Sequence, residues 1–168
     1  MQLDEVYKMY MNDLYRYLFS LSKDHYVAED LVQEAFYRAY MTLEDYEISN
    51  IKAWLFKVAY HAFVDYQRKN KRTVLEEDVK PHLHVDQDTP ERRMLEKESL
   101  RLLLKDLNLL QENEKHAVLL CDLHELSYQE AADILDLKLN TFKSHIVRGR
   151  KKLMERVKER MNRDERSS

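Results

Sequence analysis

The sequence predicts an all-α protein made of two small helical domains joined by a flexible acidic linker. The 168-residue chain has one glycine and two prolines, so it lacks the turn residues that tight β-hairpins need. Charged residues make up 35% of the chain, and much of the rest is leucine, alanine and methionine, which favour helices. Apolar residues recur with the period of an amphipathic helix along most of the chain.

Both prolines lie in one acidic stretch that separates two helical regions. This stretch lacks an apolar stripe, whereas the regions before and after it have one. The chain is therefore predicted to consist of a first domain at 1–72, a linker at 73–90, a second domain at 91–164 and a frayed tail at 165–168.

Composition limits the compartment and the partners. The single cysteine, Cys121, excludes an internal disulfide and fits a reducing compartment. No stretch approaches the roughly 18 apolar residues of a membrane span, and no signal pattern begins the chain. These features predict a cytoplasmic protein that does not insert into a membrane.

The net charge of −3 argues mildly against a nucleic-acid-binding protein. However, the charges are segregated, because residues 24–50 are acidic whereas 52–72 and 138–163 are basic. Segregated charge indicates that different surfaces face different partners.

The helix predicted at 26–43 combines a buried stripe with an acidic face. Its stripe consists of Ala28, Leu31, Val32, Ala35, Phe36, Ala39 and Leu43. The opposite face carries Asp30, Gln33, Glu34, Tyr37 and Met41. Such a face fits a solvated helix surface or docking onto a basic protein surface. The exposed Tyr37 and Met41 favour docking.

The next predicted helix, 51–72, has a basic and aromatic face. Its apolar stripe consists of Ile51, Trp54, Leu55, Val58, Ala59, Ala62 and Tyr66. The opposite face carries Lys57, Tyr60, His61, Val64, Gln67, Arg68 and Lys71. Cations neutralise phosphates and flat rings stack on unpaired bases, so this face fits nucleic acid, with an ordinary amphipathic helix as the alternative. His61 and Asp65 could share a metal ion but lack a third ligand nearby.

Residues 127–153 predict a helix-turn-helix. Ser127 and Glu130 have the spacing of a capping box, residues 136–139 are predicted to turn, and Asn140 suits the N-cap of the second helix. The predicted core consists of Ala131, Ile134, Leu137, Phe142, Ile146 and Leu153. The outward side of the second helix carries Thr141, Lys143, Ser144, His145, Val147, Arg148 and Lys151. These side chains can contact phosphates, guanine and the thymine methyl group, as a major-groove surface requires.

The middle of this second helix contains a glycine and three consecutive cations. Gly149 costs about 1 kcal/mol relative to alanine in a helix, so it either permits close packing or has no specific role. Arg150, Lys151 and Lys152 fit either phosphate contacts or a solvated basic helix end.

Three segments together resemble the extracytoplasmic-function group of the sigma-70 family. DLVQEAFYRAY at 30–40 resembles the motif that binds core RNA polymerase. Residues 54–69 resemble the segment that melts and reads the minus-ten promoter element, although members often have Asn where His61 stands. Residues 140–150 resemble the segment that reads the minus-thirty-five element. In the family this segment has the pattern Gly-Thr-Val-Lys-Ser-Arg followed by Arg-Ala-Arg. This chain departs from that pattern at Asn140, Phe142, His145 and Gly149.

The resemblance assigns residues to each partner. Contacts to the clamp helices of the largest polymerase subunit are implied for Asp30, Leu31, Gln33, Glu34, Tyr37 and Arg38. Contacts to the minus-ten element are implied for Trp54, Lys57, Tyr60, His61, Arg68 and Lys71, with the loop at 44–51 completing a base pocket. Contacts to the minus-thirty-five element are implied for Thr141, Lys143, Ser144, Val147, Arg148 and Lys151.

The resemblance implies a sigma factor, which directs promoter-specific initiation and is not an enzyme. It also implies control by an anti-sigma factor, in many relatives a membrane-anchored one, in a stress or envelope response. No cofactor is expected. The linker is expected to run through the polymerase near the template strand and the RNA exit path.

Two other functions fit parts of the sequence. A stand-alone helix-turn-helix regulator would bind DNA without polymerase, usually as a dimer. A metal-dependent enzyme is suggested by His82, His84, Asp86 and Asp88, but no regular element around them fixes ligand geometry. Cys121 and His124 could bind zinc, although two further ligands are missing, and packing in the core is the alternative for Cys121.

Overall fold

The computed structural model describes residues 3–43, 50–76 and 98–167, and these residues form helices, turns and short connections without a strand. The contacts divide the chain into two units, 1–93 and 94–168. The all-α fold class predicted from composition and periodicity is confirmed. Most of the predicted linker, 77–90, lies outside the described residues.

Three helices form the described part of the first unit. They are α1 (Leu3–Ser22), α2 (His25–Leu43) and α3 (Ile51–Glu76), and each packs against the other two. Asp24 caps α2, because its Oδ1 accepts hydrogen bonds from the backbone N–H groups of Tyr26 at 2.9 Å and Val27 at 3.2 Å. Asn50 caps α3 similarly through the N–H of Ala53 at 3.1 Å. Helix α3 continues past Arg72, where the first domain was predicted to end.

The stripe predicted for α2 is confirmed. Its buried residues are Ala28, Leu31, Val32, Ala35, Phe36 and Ala39, while the side chain of Leu43 lies outside the described part. The predicted acidic face therefore points to solvent.

The stripe predicted for α3 is only partly correct. Leu55, Ala59 and Ala62 are buried as expected, but Phe56 and Phe63 are buried too. The partly exposed members of the predicted stripe are Ile51, Trp54, Val58 and Tyr66. Relative to the predicted stripe, the buried face of α3 is turned toward α1. There the rings of Phe56 and Tyr17 lie 5.2 Å apart.

The described part of the second unit ends in a long helix. Its elements are α4 (Glu98–Leu107), α5 (Glu112–Val118), a π-helical turn (Leu119–Leu123), α6 (Tyr128–Ile134) and α7 (Leu139–Ser167). Helices α4, α5 and α6 all pack against α7. The largest fully buried side chains include Leu107, Leu119, Leu120, Ile134, Phe142 and Ile146.

The helix-turn-helix begins as predicted and turns one residue earlier. The Ser127 hydroxyl accepts from the N–H of Glu130 at 3.1 Å, and the Glu130 carboxylate accepts from the N–H of Ser127 at 2.8 Å, which completes the capping box. Asn140 is not an N-cap, because α7 already begins at Leu139. The early start follows from Asp136, whose left-handed φ of 55° reverses the chain directly after α6.

The end of the chain also differs from the prediction. Helix α7 extends to Ser167, so residues 165–167 continue the helix where a frayed tail was expected. Within the predicted helix-turn-helix core, Leu137 and Leu153 are only partly buried, whereas Ala131, Ile134, Phe142 and Ile146 are fully buried.

Candidate docking and nucleic-acid interfaces

The outward side of α2 forms a docking face, defined here as Asp30, Gln33, Glu34, Tyr37 and Met41. All five side chains are exposed, and Tyr37 keeps 62% of its surface in contact with solvent. Two carboxylates beside two exposed apolar side chains suit a partner surface that is basic at its rim and apolar at its centre.

The polymerase contact implied for Leu31 stays a prediction, and the burial of this side chain argues against it. Leu31 is 6% exposed and belongs to the core of the first unit. It lies on the same stripe as Ala28, Val32 and Ala35, so little of its side chain is available to a partner.

Arg38 links the docking face to α3. Its Nε donates to Glu34 Oε1 and its Nη2 donates to Asp65 Oδ2, both at 3.0 Å. Arg68 reaches the second oxygen of Asp65 at 3.3 Å. Sequence reasoning considered Asp65 only as a metal ligand beside His61, whereas the structure uses it to join two arginines from different helices.

A cleft of about 410 Å³ lies between α2 and α3. It is lined by Tyr37, Arg38, Met41, Thr42, Trp54, Val58 and His61. The cleft therefore brings residues predicted for polymerase docking beside residues predicted for the minus-ten element. Trp54 is partly exposed and His61 is exposed, so their flat rings are available for stacking.

The exposed side of α3 forms a melting face, defined here as Lys57, Tyr60, His61, Arg68 and Lys71. All are exposed except Tyr60, which is partly buried. The Tyr60 and His61 rings lie 5.9 Å apart. The melting face thus combines three cations with two rings along one helix, although residues 44–49 of the predicted base pocket lie outside the described residues.

The outward side of α7 forms a groove face, defined here as Thr141, Lys143, Ser144, Val147, Arg148 and Lys151. All six residues are exposed. The Ser144 hydroxyl donates to the carbonyl of Asn140 at 3.3 Å. The face presents two lysines, an arginine, two hydroxyls and an apolar side chain, which can serve phosphate and base contacts together.

Arg150 braces the second unit. Its guanidinium donates to both oxygens of Asp122, at 3.0 and 2.7 Å, and to the Tyr128 hydroxyl at 2.8 Å. The hydrogen bonds that Arg150 donates to Asp122 raise the pKa of Arg150. This network holds Arg150 against the second unit while 43% of its side chain stays exposed, and the phosphate contact suggested for Arg150 stays a prediction.

Sequence reasoning missed Glu114, a carboxylate buried beneath α7. Its side chain is 1% exposed and receives Lys152 Nζ at 2.7 Å, while Arg148 Nε lies at 3.5 Å. Burial favours the protonated acid, but hydrogen bonds from Lys152 and from the Gln111 N–H outweigh it and lower the pKa of Glu114. The available signal was the spacing of Gln111 and Glu114, which form a capping box at the start of α5.

Gly149 permits close packing of α7 on α5. A Cβ at this position would lie 3.0 Å from Val118 Cγ2 and 3.1 Å from the Glu114 carbonyl oxygen. Both separations are tighter than ordinary van der Waals contact. The structure therefore favours the packing role over the absence of a role for this glycine.

Some of the candidate metal ligands lie among the described residues and others do not. Among the described residues, no three His, Cys, Asp or Glu side chains lie close enough together to hold a metal ion. Cys121 is half-buried, and burial raises the pKa of its thiol to about 11. The four residues His82, His84, Asp86 and Asp88 lie outside the described residues. None of the described helices is long and apolar enough to span a bilayer.

Comparison with known proteins identifies the family. Residues 6–73 match the family model of sigma-70 region 2, and residues 100–153 match that of sigma-70 region 4. The chain is 41% identical over 155 residues to the ECF RNA polymerase sigma factor SigM of Bacillus subtilis, covering 91% of this chain and 93% of SigM. This chain belongs to the sigma-70 family, in its extracytoplasmic-function group.

Other similarities agree with this assignment. The sigma factor is 33% identical over 139 residues to the ECF RNA polymerase sigma-E factor of Haemophilus influenzae, covering 76% of this chain and 73% of the relative. Its fold resembles RpoE of Bartonella quintana, solved in complex with the anti-sigma factor NepR. That match has a TM-score of 0.74 and 29% identity and covers 92% of this chain and 96% of RpoE. As a sigma factor, the chain is a transcription initiation factor and not an enzyme.

Proposed function

We propose that this sigma factor binds core RNA polymerase through the docking face and reads promoters through the melting and groove faces. The observation that carries the proposal is that each motif of the family occurs in order, and that the side chains its resemblance assigns to contacts are mostly exposed. Arg38, Trp54 and Tyr60 are partly exposed, and Leu31 is buried.

Docking on the clamp helices of the largest polymerase subunit uses charge and apolar contact together. Asp30 and Glu34 attract a basic partner, and Tyr37 and Met41 supply apolar area at the centre. Arg38 does not donate to the polymerase in this proposal. It holds Glu34 in place and connects the docked helix to Asp65 on α3.

The melting face binds the non-template strand once the minus-ten element opens. Lys57, Arg68 and Lys71 neutralise its phosphates, and His61 with Trp54 stacks on an unpaired base. Unstacking a base costs a few kcal/mol, which these contacts offset. The net charge of −3 disfavours binding of the free sigma factor to DNA without polymerase.

Regulation by an anti-sigma factor belongs to the proposal, in a stress or envelope response. It is supported by the fold shared with RpoE, which was solved with an anti-sigma factor. A membrane-anchored inhibitor fits a sigma factor that itself acts in the cytoplasm with polymerase. Domain roles follow the predicted organisation, with docking and melting in 1–72, the linker at 73–90 and the groove face in 91–164.

Run-off transcription with purified core polymerase tests the proposal directly. The sigma factor is expected to direct specific initiation with core enzyme and to give little DNA shift alone. A strong sequence-specific shift without polymerase, together with no initiation in its presence, would favour the stand-alone regulator instead.

His61→Ala is expected to reduce open-complex formation by about tenfold, because stacking on one base contributes about 1–3 kcal/mol. Permanganate footprinting of unpaired thymines measures the bubble. Asn70→Ala, an exposed position on the same helix outside the melting face, is the control and should leave the footprint unchanged. An unaltered bubble with His61→Ala would remove this residue from the melting face.

Arg148→Ala is expected to weaken promoter recognition by about 1–3 kcal/mol, which is the contribution of one base contact. The loss of transcription should depend on the identity of one base pair in the minus-thirty-five element. Run-off assays on promoters with single-base changes measure that selectivity. Lys158→Ala is the control, since Lys158 is an exposed cation further along α7. An equal loss on every promoter would make Arg148 a phosphate contact.

A further inference from the structure

Glu114 occupies an unusual place for a carboxylate in a small helical unit. It lies beneath the groove face with 1% of its side chain exposed. Oε1 is satisfied by Lys152 Nζ at 2.7 Å and by the Gln111 N–H at 3.1 Å. Oε2 faces Arg148 Nε at 3.5 Å. A buried carboxylate persists in a protein only when such donors offset its loss of hydration.

The Arg148 side chain contacts protein groups on one side and solvent on the other. Its side chain remains 52% exposed although Nε lies against the buried carboxylate. A second contact joins its Nη2 to His145 Nδ1 at 3.2 Å. An arginine without such partners samples many rotamers, and an anchored guanidinium loses less entropy when it binds a base.

The backbone of α7 makes this arrangement possible. Gly149 lies between Arg148 and Arg150 in the chain and packs directly on α5. A Cβ there would lie 3.4 Å from Glu114 Cβ, so the glycine lets Glu114 approach the helix backbone closely. From below α7 its two oxygens reach side chains on both sides of that glycine, Arg148 and Lys152.

We infer that Glu114 is a positioning residue for promoter reading, holding Arg148 in the orientation in which it contacts the minus-thirty-five element. The inference rests on the proposed role of Arg148. Lys152 already satisfies one oxygen, so the orienting contact is the second oxygen. Glu114 thus influences which base pair is preferred although it has almost no surface with which to touch DNA.

Glu114→Gln tests this role because it keeps the side-chain volume and one oxygen that can accept from the Gln111 N–H and from Lys152 Nζ. It removes the negative charge that faces Arg148. The measurement is run-off transcription with core polymerase on a set of promoters with single-base changes in the minus-thirty-five element. Discrimination at the base pair read by Arg148 should fall about fivefold or more, the low end of one base contact. In the Arg148→Ala background, Glu114→Gln should have no further effect on this ratio.

Two further variants keep the test decisive. Asp122→Asn removes the partner of the other bracing arginine, Arg150, and should leave discrimination at that base pair unchanged. If Glu114→Gln alone fails to fold, the double variant Glu114→Gln with Lys152→Gln removes both charges and carries the same measurement.

The outcomes separate the inference from the function on which it rests. A uniform loss on all promoters, or an effect on discrimination that adds fully to that of Arg148→Ala, would overturn the positioning role and leave Glu114 as a packing residue. Failure of the wild-type sigma factor to direct initiation with core polymerase would instead overturn the proposed function.

Discussion

Asp30→Arg is expected to weaken binding of the sigma factor to core polymerase by about 30-fold or more, which corresponds to about 2 kcal/mol. Charge pairs across protein interfaces couple by about 1.5–7 kcal/mol, and reversal replaces attraction with repulsion. Asp30 is the informative site because it is exposed, whereas Glu34 also holds Arg38. Titration of fluorescently labelled sigma factor with core enzyme measures the affinity.

The matched control is Asp13→Arg on α1, which changes the charge of the same unit by the same amount. Asp13 is partly exposed and outside the docking face, and its nearest cation, Arg16, lies at 3.9 Å. Circular dichroism checks that both variants keep their helices. Equal affinities for Asp30→Arg and the wild type would exclude the acidic side of α2 as the docking face.

Arg160→Ala is expected to lower the free energy of unfolding by about 2–3 kcal/mol. Arg160 Nη2 donates to both oxygens of Asp106 at 2.6 Å, and the Asp106 side chain is 4% exposed. Removing the arginine leaves a buried carboxylate without this partner. Breaking a fully buried pair costs about 3–5 kcal/mol, and the smaller value applies because the Arg160 side chain is 34% exposed.

Urea unfolding followed by circular dichroism measures this loss. Arg156→Ala is the control on the same helix, since Arg156 pairs at 3.2 Å with Glu159, which is 56% exposed. Such surface pairs contribute about 0–1 kcal/mol. If both variants lose equal stability, the Asp106 pair has no special role in joining α4 to α7.

The success of the sequence prediction differed between α2 and α3 for a physical reason. A single stripe with a 3.6-residue period describes a helix that buries one face, and α2 buries the stripe that this period predicts. Helix α3 instead buries a face turned toward Phe56 and Phe63, and Trp54 turns partly outward into the cleft. Because α3 carries apolar residues on more than one side, periodicity alone does not show which of them faces the core.

The candidate site shows the same division. The exposure of Lys143, Ser144, Val147 and Arg148 followed from their position on a helix whose inner face is apolar. No local sequence pattern predicts the ion pairs, because Lys152 and Glu114 are 38 positions apart and Arg150 and Asp122 are 28 positions apart. A basic run in the sequence looks the same whether its cations meet phosphates or buried acids.

The sequence by itself determined that this protein is helical, where its acidic and basic faces lie, and which family its motifs resemble. Each of these depends on residue type and on spacing along one helix, which local geometry sets. The tertiary structure alone decided that Phe56 and Phe63 are core, that Arg38 joins α2 to α3, and that Glu114 lies beneath Arg148. These depend on which distant groups share a low-dielectric interior, where each buried charge must meet a partner.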